Sequence, residues 1–138
     1  MPCSFPNGLI HRCSTARCVS GFRAVSLNYC DLVTVKHGGV RAVRLPLIPC
    51  SDGAGEVVEV GPGVTRVKVG DRVAGIFFQQ WLAGDIRSAY FDAALGGTLD
   101  GMLADLVLLH EDGLVHFPVH MTYEEAATLH FGKIVITV

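Results

Sequence analysis

The segment Ser51 to Val73, SDGAGEVVEVGPGVTRVKVGDRV, sets short valine-rich runs between glycine turns and leaves no space for a long helix. Glu56 to Val60 reads as a strand, because β-branched side chains suit a pleated, half-buried surface. Gly61-Pro62-Gly63 breaks it, since glycine accepts positive φ and proline lacks a donor N–H. Val64, Val67 and Val69 continue apolar, and Gly70-Asp71 turns the chain into a further strand, Arg72 to Phe78. Turns recurring every eight to twelve residues or so belong to a small barrel or sandwich rather than to alternating strands and long helices.

The flanking segments agree. Phe22 to Leu27 is β-prone, Asp31 to Lys36 suits a helical turn ended by Gly38-Gly39, and Pro46 and Pro49 hold an extended approach to Ser51. Trp81 to Leu95 is a mixed insertion with one helical turn around Ser88 to Ala94, closed by Gly96-Gly97. Met102 to Leu109 and Leu114 to Phe117 are two more strands around Glu111-Asp112-Gly113. Thr122-Tyr123-Glu124-Glu125 is a capping box opening a helix from Tyr123 to about Leu129, and the final GKIVITV is a β-branched strand. Residues 1–20 mix Pro, Ser, Cys and Arg without a period and read as an irregular lead-in. The expected organisation is a lead-in over 1–20, one domain over 21–129 and a truncated tail over 130–138 in which GKIVITV is a candidate first strand of a further domain.

The 138 residues suit one domain, and half are hydrophobic, enough for a single core. The 11 basic and 13 acidic side chains lie without runs, giving a net charge of -2 and no electrostatic footprint for nucleic acid or an anionic membrane. A small-molecule partner is expected instead. The five cysteines, Cys3, Cys13, Cys18, Cys30 and Cys50, are odd in number and form no C-x-x-C pair, which argues against a disulfide framework and a zinc knuckle. Neither a signal-peptide core nor a membrane-length apolar run is present, so a cytoplasmic location is expected.

The glycines of Ser51–Val73 invite comparison with the dinucleotide fingerprint G-x-G-x-x-G, which must follow a strand and open a helix. Gly53-x-Gly55 has Val58 in the third position, and Gly61-x-Gly63 has Arg66. Both fail, and the valines after each pair favour strand. These glycines read as barrel turns and close backbone contacts.

The same segment resembles the stretch of medium-chain dehydrogenases/reductases that runs G-H-E-x-x-G, V-x-x-V-G and V-x-x-[FV]-x-x-G-D-R-V. AVSLNYCDL, LDGMLADLVLL and MTYEEAATL resemble that superfamily too, in the same order, over roughly residues 22–129. The resemblance implies a mainly β, GroES-like barrel with short helices, the N-terminal catalytic domain of alcohol dehydrogenases, quinone reductases and enoyl reductases. It implies NAD(P) held by a Rossmann domain, with the substrate in the cleft between the two. That domain is expected to be missing, because the chain ends where its glycine loop would begin. The barrel-closing N-terminal strands of relatives also have no match in residues 1–20, which implies an open sheet edge and marginal stability.

Zinc-bearing members supply a Cys from C-x-x-D and a His from G-H-E, ligands that suit zinc. The matching positions are Asn28 and Ser51, and FFQQWLAGDIRSAYFDAALGG stands in place of the structural-zinc lobe. A zinc-independent, quinone-reductase-like branch is implied. A displaced metal site built on Cys30 and Cys50 lacks a third ligand, and Pro118 discourages a helix that would align His116 with His120. Cys30 departs from the arginine expected there.

Asn28, Tyr29 and Asp31 are the expected catalytic residues, with Asn28 and Tyr29 also on the cofactor. Asn28 can donate and accept, Tyr29 can orient a carbonyl or stack on nicotinamide, and Asp31 can fix the turn. On residue type alone they make an Asx-type turn with a half-buried tyrosine. Ser51, Asp52, Phe77 and Trp81 are expected along the substrate cleft, Asp52 orienting its loop and Phe78 joining the apolar wall. Two functions follow. One is the barrel of a zinc-independent NAD(P)-dependent oxidoreductase acting on a carbonyl, enone or quinone, inactive alone. The other is a non-catalytic binding or assembly module whose exposed cleft face, around Phe77, Phe78 and Trp81, meets a second copy or a Rossmann-bearing partner.

Overall fold

The structure, a computed structural model, describes residues 17–38, 43, 45–129 and 134–137. Six strands form one antiparallel sheet: β1 (Arg17–Leu27), β2 (Asp52–Val60), β3 (Arg72–Gly75), β4 (Leu106–His110), β5 (Leu114–His116) and β6 (Ile134–Thr137). Their order is β4-β1-β2-β3-β5, with β6 also paired to β1. Two helices, α1 (Tyr29–His37) and α2 (Tyr123–Ala127), accompany them.

β4 and β5 stand at opposite ends of that order, yet only the 3-10 turn Glu111–Gly113 joins them. So short a link brings the ends together only if the sheet curls into a barrel. The turn also seals the seam. The Glu111 carboxylate accepts the Thr65 and Arg66 N–H groups, both at 2.7 Å, and Gln79 Nε2 donates to the carbonyls of Ile76 and Gly113.

Side chains that alternate inward along the strands fill the barrel: Cys18, Phe22, Val25, Val57, Val73, Leu109 and Leu114 pack around Leu95 and Met102. Gly55 of β2 lies so close to β1 that an added Cβ would run into the Gly21 carbonyl and lie 2.7 Å from the Phe22 Cα. Its role is close packing between strands.

Outside the barrel, Ala24, Ala54 and Ala74 sit side by side on three adjacent strands. Their small side chains let Ala126 and Ala127 of α2 seat directly on the sheet with Phe117. Thr122 caps the helix by accepting the Glu125 N–H at 3.2 Å, while the Glu125 carboxylate accepts the Thr122 N–H at 2.8 Å. Ser26 Oγ donates to the Ala127 carbonyl at 2.9 Å. Arg72 locks the approach to α2: its guanidinium lies 4.6 and 4.7 Å from the Phe117 and Tyr123 ring centres and donates to the Val119 and Met121 carbonyls.

Several boundaries differ from the sequence reading. β1 starts at Arg17, inside the segment read as irregular, because β2 and β4 supply partners on both sides. β2 starts at Asp52 and β3 ends at Gly75. β4 starts at Leu106, since residues 101–103 bond instead to the Ile48–Cys50 segment. Asp31 to Lys36 is the middle of a nine-residue helix capped by Gly38 at φ 68°. The expected open edge does not occur on β1, where β4 covers Arg17–Gly21 and β6 covers Ala24–Leu27.

Ser20 points into the barrel, fully buried, and its Oγ has no hydrogen-bond partner among the described residues. Removing an orphaned buried hydroxyl relieves a desolvation penalty, so Ser20→Ala is expected to stabilise the chain by about 1 kcal/mol. A thermal melt should show the midpoint rising by roughly 4 °C; a fall would mean that the hydroxyl is satisfied.

Glu111 gives a pH dependence. The Arg66 and Thr65 N–H groups hold its carboxyl below the ordinary glutamate value of 4.5. A carboxyl depressed by folding stabilises the native state above its unfolded value, and the contribution fades as pH falls through the folded one. Stability should therefore drop on acidification below about 4.5, and Glu111→Gln should flatten that slope in denaturant titrations. An unchanged slope would remove Glu111 from the seam.

Candidate functional site

The first turn of α1 and the loop entering β2 meet at one corner of the barrel. Asn28 is the N-cap of α1, and Asp31, at the third helical position, closes a capping box with it. The Asp31 carboxylate serves two elements: Oδ2 accepts the Asn28 N–H at 2.8 Å and Oδ1 accepts the Cys50 N–H at 2.9 Å. The Asn28 Nδ2 donates to Ser51 Oγ at 2.9 Å and to Asp52 Oδ2 at 2.7 Å. Asn28, Asp31, Cys50, Ser51 and Asp52 are all buried. Four hydrogen bonds thus hold the corner, all of them to or from buried side chains.

Cys50 adopts φ 71°, a left-handed conformation that costs a side-chain-bearing residue of order 1–3 kcal/mol. Hydrogen bonds to charged groups contribute about 1.5–3 kcal/mol each, so the Asp31 bond is large enough to hold it. The opposite side is braced by the segment after the insertion. Gly101 N–H donates to Ile48, Met102 N–H to Cys50 and Leu103 N–H to Pro49, at 2.7, 2.8 and 3.2 Å. A Cβ on Gly101 would collide with the Pro49 and Cys50 carbonyls, so only glycine fits this crossing.

The structure therefore brings together Asn28, Asp31, Ser51 and Asp52, four of the expected site residues. Tyr29 adjoins them but is 77 % exposed, not half-buried, because it starts the helix on the outward side. Phe77 and Trp81 belong to an aromatic lobe. Phe78 is its centre, with ring centres 4.3 Å from Phe77, 5.9 Å from Trp81 and 5.0 Å from Phe91, while Tyr90 stacks on Trp81 at 6.1 Å. The Leu95 N–H, donating to the Phe77 carbonyl at 3.0 Å, carries the chain from this lobe to Gly101. Tyr90 and Phe91 are not among the expected site residues, although the 3-10 turn Ser88–Ala93 that presents them lies where a helical turn was expected.

The glycines of Ser51–Val73 are accounted for structurally. Gly53 and Gly55 lie inside β2, and Gly63, at φ 80°, lies in the turn leaving it. None opens a helix, and their arrangement does not fit a pyrophosphate cradle. Among the described residues no group of three His, Cys, Asp or Glu could hold a metal ion. His116 Nε2 lies 2.9 Å from Asp71 Oδ2, and His110 accepts the Asp112 N–H through Nδ1. His130 lies outside the described residues.

Burial, with Asp31 and Asp52 nearby, pushes the Cys50 thiol up to about 12, and burial pushes Cys18 up to about 11. Both stay protonated at neutral pH and are poor nucleophiles. Cys30 is exposed. Brief treatment with iodoacetamide at pH 8, followed by peptide mapping, should modify Cys30 and spare Cys18 and Cys50. Alkylation of Cys50 in the folded chain would contradict the corner's geometry.

Comparison with known proteins agrees with this architecture. Residues 21–119 match the family described as the alcohol dehydrogenase GroES-like domain. The chain is 40 % identical over 107 residues to a zinc-type alcohol dehydrogenase-like protein of Schizosaccharomyces pombe, covering 78 % of this chain and 31 % of that one. It is 37 % identical over 107 residues to a quinone oxidoreductase of Pseudomonas aeruginosa, covering 78 % and 26 %. A crystal structure of a putative alcohol dehydrogenase from Sinorhizobium meliloti superposes with a TM-score of 0.76 at 34 % identity, over 84 % of this chain and 35 % of that one. The chain spans about a third or less of the curated relatives it matches. A barrel closed by a three-residue link and a matching family over 21–119 lead to one conclusion: the chain belongs to the alcohol dehydrogenase GroES-like domain family, within the medium-chain dehydrogenase/reductase superfamily.

Proposed function

We propose that this chain is the catalytic-domain portion of a zinc-independent NAD(P)-dependent oxidoreductase, transferring hydride between a nicotinamide and a small carbonyl, enone or quinone. The observation that carries the reading is the corner itself. By the resemblance of their motifs, Asn28 and Ser51 match the positions of the zinc-bearing branch's Cys and His, and they are hydrogen-bonded to each other. Neither is a zinc ligand, and no group of three His, Cys, Asp or Glu among the described residues could hold a metal ion. The donor set does not fit zinc.

A bound nicotinamide would supply the hydride, and the barrel would orient the reactants and keep water out. Pyrophosphate binding falls to residues other than those of β2 and its turn, so the barrel by itself is expected to be inactive. The domain of this reading covers 21–129, widened by β1, which starts at Arg17, and by β6 (Ile134–Thr137), which pairs with β1. Free Cys18, Cys30 and Cys50 support a reducing, cytoplasmic setting, and no described helix is long and apolar enough to cross a membrane.

A second reading has its own support. Tyr29, Leu32 and Val35, at helical spacing on α1, are 77, 55 and 81 % exposed, an apolar stripe suited to a non-catalytic assembly module. Joining residues 1–129 to the nucleotide-binding domain of the Pseudomonas aeruginosa quinone oxidoreductase separates the two readings. The isolated chain should give no saturable fluorescence response to NADPH, whereas the chimera should oxidise NADPH with 1,4-benzoquinone. A folded chimera that binds NADPH but turns over no carbonyl, enone or quinone would favour the module.

A further inference from the structure

The hydrogen-bond pattern at the corner divides its residues into two kinds. Both hydrogens of Asn28 Nδ2 are committed, one to Ser51 Oγ at 2.9 Å and one to Asp52 Oδ2 at 2.7 Å. An amide nitrogen has no third hydrogen to offer. Asn28 therefore cannot donate to a ligand oxygen without breaking a buried bond, one of them to a carboxylate. Asp31 ties two segments together, each carboxylate oxygen holding a backbone N–H of a different one. Tyr29 is the reverse case, a donor next in sequence to this cluster and largely open to solvent.

We propose that Asn28, Asp31 and Asp52 are positioning residues that lock the start of α1 to the start of β2, and that the solvent-exposed donor this corner offers to a ligand oxygen is the Tyr29 hydroxyl. Asn28 and Asp31 thus leave the catalytic set expected from sequence, and Asp52 is the acceptor that fixes the Asn28 amide. The assignment of a ligand rests on the oxidoreductase reading above, whereas the internal bonding does not. The experiment below reads that bonding, so its failure and the failure of the function are distinct.

Asn7 and Asn28 are the two asparagines of the sequence, so selective 15N-asparagine labelling gives two side-chain amide signals. The Asn28 Nδ2 protons are expected to be shifted from solvent-like values and to exchange at least about tenfold more slowly than an exposed amide, an opening cost of roughly 1.4 kcal/mol or more. Asp52→Leu should return them to solvent-like shift and exchange, while Asp52→Asn, which keeps an acceptor oxygen, should retain the signature. Asp31→Asn should accelerate exchange of the Cys50 backbone N–H without moving the Asn28 side-chain pair to solvent values. Tyr29 should be the first tyrosine nitrated by tetranitromethane. A freely exchanging Asn28 side chain in the unmodified chain, or a Tyr29 protected relative to Tyr90 and Tyr123, would overturn the proposal. Because these two readouts use the unmodified chain, misfolding of a variant cannot shelter it.

Discussion

The Asp31 carboxylate accepts one backbone N–H from the N-cap of α1 and another from the loop that enters β2. Much of the corner follows from this bridge. It opens α1, holds Cys50 in its left-handed conformation and brings Ser51 and Asp52 within reach of the Asn28 amide. Gly101 crosses the same loop from the other side, where no larger residue fits. A loop gripped on both faces by backbone hydrogen bonds is a rigid support for a ligand-facing residue.

The barrel beneath depends on two simpler constraints. A three-residue link between the terminal strands of the sheet order forces curvature, and Glu111 ties the Thr65–Arg66 loop onto that seam. The alanine row Ala24, Ala54 and Ala74 gives α2 a flat seat, with Arg72 gripping the segment that leads into it. Interior packing and helix docking thus use opposite faces of the same three strands.

Much of this was legible in the residues. Turn chemistry marked Gly61-Pro62-Gly63 and Gly70-Asp71, valine spacing marked β2 and β3, and Thr122…Glu125 announced α2. The absence of a third glycine excluded a phosphate loop, as the placement of Gly53 and Gly55 inside β2 bears out. Asn28…Asp31 has capping-box spacing, so α1 was open to the same reasoning that found α2. What stayed hidden is what long-range pairing decides. The start of β1 at Arg17 depends on partners at Val60 and His110, and the φ of Cys50 depends on Asp31 and Gly101. The clustering of Trp81, Tyr90 and Phe91 around Phe78 depends on where the insertion folds back. None of these leaves a local pattern.

The proposed zinc-independent reading has hydrogen bonds, rather than a metal, hold the corner between α1 and β2. Its most direct test is zinc content by mass spectrometry after expression in zinc-supplemented medium, paired with thermal unfolding in the presence and absence of EDTA. A structural ion at about a hundred times its Kd would add roughly 2.7 kcal/mol, so its removal could not be missed. The account predicts sub-stoichiometric zinc and an unchanged midpoint. Zinc approaching one per chain, with a midpoint that falls on chelation, would contradict it.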